Sequence, residues 1–259
     1  MTEPRVLRDL VYSTPLGFRP LTLDLYLPEA VNAPVVLFVH GGGWRAGSRR
    51  MFVPHVNEQD SFGRIVAAGF AVASFDYRLS GEAVFPAQVE DARAALAWLR
   101  ASGDEFGFDG SRVVLWGESA GATIVALLGL DADSAVLGVV DWYGPSDLVA
   151  MAEGLNADEL AASRETGWLG VSAVDDPDRA RAASPAFAVR DGSPPFHIAH
   201  GLADVAVPFA QSRELADALI AHRAKVDLVA VPDAGHMWGG VDDTTPIFDR
   251  AIAFATSLL

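Results

Sequence analysis

Two kinds of hydrophobic pattern divide the chain. Residues 21–27, Leu-Thr-Leu-Asp-Leu-Tyr-Leu, alternate apolar and polar, as a strand with one wet face should. Val35-Val36-Leu37-Phe38-Val39 is apolar without a break, which suits a strand covered on both faces. Strand-like segments recur at 5–12, 21–27, 35–40, 71–75, 113–117, 136–140, 196–200 and 226–231. Helical periods lie between the later ones. They are clearest at 86–100, where Val89, Ala92, Leu96 and Leu99 share a face, and at 246–258, where Ile247, Ala251, Phe254 and Leu258 do. The alternation predicts an α/β fold, an eight-stranded, mostly parallel sheet with helices on both faces. Pro86 and Pro208 suit first helical turns, and Gly103 suits the end of the 86–100 helix.

The longest interruption runs from about Gly144 to Pro195 and holds Pro145, Pro177, Pro185, Pro194 and Pro195 among alanine-rich and acidic stretches. It is expected to form short helices over the sheet edge. As a long connection after the sixth strand it reads as a small lid or cover, residues 145–195, within a single domain spanning 1–259.

Composition narrows the function. The chain has 259 residues, 51 % of them hydrophobic, enough for a sizeable core. A net charge of −15, with no basic cluster beyond Arg49-Arg50, argues against nucleic acid and anionic membranes as partners. With no cysteine there is no disulfide, thiolate nucleophile or cysteine-held metal. The start, Met1-Thr2-Glu3-Pro4-Arg5, leads into no signal-peptide core, and no apolar run is long enough to cross a bilayer, so a soluble cytoplasmic protein is expected.

In open parallel sheets the ligand site lies beyond the carboxyl ends of the strands. The third strand ends in His40-Gly41-Gly42-Gly43-Trp44, the fifth in Gly117-Glu118-Ser119-Ala120-Gly121-Ala122, the seventh in His200-Gly201-Leu202-Ala203-Asp204, and the eighth leads to Asp233-Ala234-Gly235-His236. Gly-x-Ser-x-Gly between a strand and a helix places Ser119 on a tight turn that tolerates only small neighbours, a presentation suited to a nucleophile. A serine needs a base that is neutral near pH 7, and His236, in a glycine-containing loop after the last strand, fits best. His55 fits worse, His222 reads as a solvated helix residue, His197 and His200 as structural, and His40 as an anchor for the glycines. Asp204 is the carboxylate placed to hold the base, giving the chain order Ser119, Asp204, His236; Asp141 and Asp147 are its rivals. For the oxyanion, the amides of Gly42, Gly43 and Ala120 are assigned as donors. No Gly-Lys-Ser/Thr or Gly-x-Gly-x-x-Gly supports a phosphate or dinucleotide loop.

With these motifs in fixed order, together with Leu23-Asp24-Leu25-Tyr26-Leu27-Pro28, Asp76-Tyr77-Arg78-Leu79 and Trp142-Tyr143-Gly144-Pro145, the chain resembles the α/β-hydrolases. Its likeness is to the bacterial esterase branch related to hormone-sensitive lipase and the feruloyl-esterase-like proteins. The resemblance covers nearly the whole chain and implies a serine carboxylesterase acting on small-molecule esters, without cofactor or metal. About thirty residues precede the third strand, too few for the helical N-terminal cap of many such relatives, so cover is expected from 145–195. Trp44, Phe85, Trp142, Tyr143 and Trp238 flank the motif loops and are candidates for an apolar substrate pocket. Glu118 either braces the elbow or faces solvent, and Asp76 and Arg78 read as a structural ion pair or loop tether. Arylformamidases resemble the same branch, which keeps an amide hydrolase open, and a non-catalytic ligand receptor on the same fold is the alternative of another class.

Overall fold

The computed structural model describes residues 4–53 and 58–259. The strands are β1 (Arg5–Ser13), β2 (Leu21–Leu27), β3 (Ala33–Val39), β4 (Ala71–Phe75), β5 (Phe108–Glu118), β6 (Gly138–Trp142), β7 (Phe196–Gly201) and β8 (Val226–Val231). They form one sheet in the order β1-β2-β4-β3-β5-β6-β7-β8. β2 runs antiparallel to both β1 and β4, and the pairings from β4 through β3 to β8 are parallel. All eight segments marked by the hydrophobic pattern are therefore strands. Their ends shift by one or two residues, apart from β5, which begins five residues earlier at Phe108; β6 runs Gly138–Trp142, and Leu137 N–H already donates to the Val113 carbonyl (2.8 Å) ahead of it.

The helices are α1 (Glu58–Ala67), α2 (Ala87–Phe106), α3 (Ala120–Leu130), α4 (Leu148–Ala152), α5 (Ala157–Ala162), α6 (Arg164–Leu169), α7 (Pro177–Ala182), α8 (Pro185–Ala188), α9 (Ala210–Ala221) and α10 (Thr245–Thr256). The period of two explains the layers. Val35, Leu37 and Val39 of β3 join the core with Leu96 and Leu99 of α2, Ile124 of α3 and Leu215 of α9, while Val36 and Phe38 join the opposite core with Ile65 of α1 and Ile247 and Ala251 of α10. A strand buried on both faces has no polar side to show, which is why β3 reads as an unbroken apolar run.

Helix punctuation differs from expectation. Gly103 lies inside α2, where a Cβ would stand 2.6 Å from the Phe108 carbonyl oxygen; it permits close approach of helix and strand. The helix ends instead at Gly107, with φ 84°. Pro86 and Pro208 stand just ahead of α2 and α9 rather than inside their first turns.

The charged residues of the edge also pair differently. Asp76 pairs with Arg49, and Arg78 with Asp91 (2.7 Å), so Asp76 and Arg78 are not an ion pair with each other. Asp24, fully buried on β2, accepts from Arg8 (2.9 Å), Arg49 (2.8 Å) and Arg50 (2.9 Å). Burial opposes its charge, yet the arginines hold its carboxyl down to about 2. A buried carboxylate needs such pairing to remain charged.

The stretch 145–195 does fold as short helices, but its α6 is seated over the end of central β3 rather than over a sheet edge. Trp168 stacks on Trp44 with ring centroids 4.3 Å apart and planes 2° from parallel, and it donates its indole N–H to Gln88 Oε1 (2.8 Å). Among the described residues no helix is long and apolar enough to cross a membrane.

Candidate active site

β3 lies beside β5 with Val39 opposite Gly117, so the loops that follow these strands emerge side by side at the point where the strand order reverses. The elbow after β5 is strained. Ser119 has φ 53° and ψ −122°, and its N–H donates to the Trp142 carbonyl (2.8 Å). A Cβ on Gly121 would stand 2.2 Å from the Val39 carbonyl oxygen, so the first turn of α3 touches the end of β3 through a residue with no side chain.

His236 begins a short 3₁₀ turn after β8, and Asp204 lies in the loop after β7. Ser119 Oγ is 3.0 Å from His236 Nε2, and His236 Nδ1 is 2.6 Å from Asp204 Oδ2. A carboxylate can only accept, so it places the imidazole proton on Nδ1 and leaves Nε2 to receive the hydroxyl proton.

Asp204 is itself heavily held. Its Oδ1 accepts from the N–H groups of Ala206 and Val207 (both 2.9 Å), and its Oδ2 is 3.2 Å from His200 Nε2. Burial works against the charge, but hydrogen bonds from His200, His236 and the Val207 amide hold the carboxyl well below the usual range. His200 Nε2 also faces the Val207 carbonyl (2.9 Å); with acceptors on both sides it carries the proton, and Nδ1 accepts from Ser212 Oγ (2.6 Å). His200 thus supports the acid, a role its place in a buried strand did not reveal.

The glycine loop after β3 is anchored from three directions. His40 Nδ1 donates to the Gly41 carbonyl (2.7 Å), and Tyr77 donates to the His40 carbonyl (3.2 Å) while stacking on its ring. Gly41 N–H donates to Glu118 Oε1 (2.9 Å), and Glu118 Oε2 accepts from Tyr143 (3.2 Å). Glu118 is buried, which pushes its carboxyl up, with these two hydrogen bonds pulling the other way. It therefore braces the elbow and does not face solvent. Gly42 (φ 108°) and Gly43 (φ 61°) occupy backbone conformations that side chains disfavour, and among the described residues nothing accepts from their amides. Ala120 opens α3, so its amide has no acceptor one turn back.

The rival residues stand elsewhere. Asp147 caps α4 through the amides of Val149 and Ala150, and Asp141 accepts from Gly144 N–H (3.0 Å). His197 pairs with Asp227 (2.8 Å) and His222 with Asp191 (2.9 Å). His55 lies outside the described residues.

The aromatic pocket needs correcting. Trp44, Trp142, Tyr143 and Trp238 are at most 1 % exposed and have no surface to offer a ligand. Trp142 makes T-shaped contacts with Trp116, Phe52 and Trp238 in the core on the α10 side, while Tyr143 makes one with His236 (4.9 Å between ring centroids). Large rings beside strand ends fill the gap between sheet and helices, where burial rewards them most. Phe85, half-buried against Trp168, is the one of the five with free surface.

Comparison with known proteins identifies the family. The BD-FAE family matches residues 23–219. Esterase LipQ of Mycobacterium tuberculosis is 32 % identical over 258 residues, covering 93 % of this chain and 59 % of its own length. The chain thus spans well under two thirds of that relative. A truncated carbohydrate esterase from gut microbiota superposes with a TM-score of 0.86 at 28 % identity, covering 99 % of this chain and 97 % of the other. Esterase Est2 of Thermogutta terrifontis does so with a TM-score of 0.75 at 26 % identity, covering 99 % and 91 %.

Proposed function

The chain belongs to the BD-FAE family and has the α/β-hydrolase fold, and from that premise we propose that it is a serine carboxylesterase hydrolysing small esters through an acyl-serine intermediate. The observation that carries the proposal is the hydrogen-bonded row Ser119, His236, Asp204, with links of 3.0 and 2.6 Å. The esterase names of its relatives support the same reaction class.

In this reading Ser119 Oγ attacks the ester carbonyl as its proton passes to His236 Nε2. Asp204, fixed by two amides and His200, stabilises the imidazolium without taking its proton. Charge forming on the carbonyl oxygen meets the amides of Gly42, Gly43 and Ala120, each such donor being worth about 3 kcal/mol of barrier. On collapse the alcohol leaves with the proton from Nε2. Water then attacks the acyl carbon, giving a proton to the same nitrogen; on collapse the Oγ–carbon bond breaks, that proton passes to Ser119 Oγ and the acid leaves. Glu118 is a positioning residue, tying the glycine loop to the elbow so that the donors are set before the charge appears. Segment 145–195 serves as cover in this reading, supported by the seating of α6 on Trp44.

Turnover of p-nitrophenyl acetate and butyrate by the unaltered protein and by Ser119→Ala tests the proposal. The variant is expected to lose at least about a thousandfold in kcat. Equal turnover in both proteins overturns it.

A further inference from the structure

α6 reaches the glycine loop through two side chains one turn apart. Residues four apart share a helix face, and here Trp168 stacks on Trp44 while Arg164 lies across Gly43. A Cβ on Gly43 would stand 2.5 Å from Arg164 Cδ, 3.2 Å from Cγ and 3.5 Å from Cβ, so the aliphatic stem fills the place a side chain would take. The guanidinium begins at the next atom, beside a residue whose amide faces the developing oxyanion in the reading above.

Among the described residues nothing engages that guanidinium. Most arginines of the chain engage carboxylates, among them Arg8, Arg49, Arg78 and Arg250. Arg164 is half-buried, yet among the described residues its guanidinium has neither a hydrogen-bond nor an ion-pair partner. Its stem is packed and its helix is fastened by the Trp44–Trp168 stack, so little freedom remains to be lost when the fork closes on a ligand. With a net charge of −15 the molecule at large repels anions, and a cation without a partner among the described residues stands beside the glycine loop.

We propose that Arg164 determines specificity by pairing with a carboxylate carried by the ester substrate close to its scissile carbonyl. The planar guanidinium offers paired donors that match a carboxylate. The assignment rests on the esterase reading.

The test measures kcat/KM for two matched pairs of esters by acid release: methyl valerate with monomethyl glutarate, and phenyl acetate with 3-carboxyphenyl acetate. The first pair places the charge on the acyl side and the second on the alcohol side. In the unaltered enzyme at least one pair is expected to favour the anionic member. In Arg164→Gln the anionic-to-neutral ratio for that pair is expected to fall about tenfold, chiefly through KM, and Arg164→Lys is expected to recover part of it. Added salt is expected to lower the same ratio in the unaltered enzyme. Ratios that stay the same in both pairs on replacing Arg164 overturn the assignment and leave the esterase reading standing. Failure of the unaltered enzyme to turn over any of the four esters overturns both.

Discussion

Asp141 offers a test of how burial sets the energetics of this fold. It lies on inner strand β6, 2 % exposed, with its Oδ1 accepting the Gly144 N–H at 3.0 Å. Burial pushes its carboxyl up to about 6 from an ordinary value of 3.8, with the Gly144 hydrogen bond pulling the other way. Between about pH 4 and 6 the native chain therefore keeps a proton that the unfolded chain has released. The contribution of Asp141 to stability falls as pH rises through that window. The full loss above pH 6 corresponds to the whole shift, about 3 kcal/mol at 1.36 kcal/mol per pH unit. Asp141→Asn removes the ionisation while keeping an acceptor for Gly144. Urea unfolding of both proteins between pH 4 and 8 is expected to show the variant gaining on the unaltered protein from pH 4 to about 7, then a plateau roughly 2 kcal/mol above the pH 4 value, the rest of the shift lying below pH 4. Any constant cost of the new amide cancels, because only the change with pH is read. Parallel stability curves across this range would refute the reasoning.

Two further outcomes follow from contacts around the elbow. Glu118→Ala leaves the buried Gly41 amide without its acceptor and frees the glycine loop, so kcat/KM on p-nitrophenyl butyrate is expected to fall about 10- to 100-fold; Glu118→Gln, which keeps an acceptor, is expected to restore most of it. Gly121→Ala drives a methyl group to 2.2 Å from the Val39 carbonyl oxygen, and overpacking of this kind costs about 1–3 kcal/mol, read as a fall in Tm of roughly 2–4 °C per kcal/mol.

Local chemistry explains how much was legible beforehand. All eight strands appear where the periodicity marks them, because the choice between one covered face and two is written into each segment's own residues. Ser119, Asp204 and His236 could be singled out for a similar reason: each follows a strand end, and parallel strands deliver their ends to one side of the sheet. The small residues of the elbow were legible too, since a turn that tight excludes larger ones.

Tertiary neighbours decided the rest. Asp76 is two residues from Arg78 but pairs with Arg49, because the loop after β3 folds back on the end of β4. Gly103 looked like a helix end and proved to be a helix–strand contact, since what a missing side chain makes room for depends on what comes to lie beside it. The four buried aromatics near the motif loops could have lined a pocket or filled a core, and only the closing of α10 and α6 over opposite faces chose the core. His200 read only as a structural histidine of a buried strand, and Arg164 gave no sequence signal. One is distinguished by a carboxylate across a loop and the other by a glycine far away in the chain. The sequence by itself settled which segments are strands and which residues stand at their ends. Which ends become neighbours, and so which side chains meet, was settled only by the order of strands in the sheet, because periodicity records the face a residue shows and not the element that covers it.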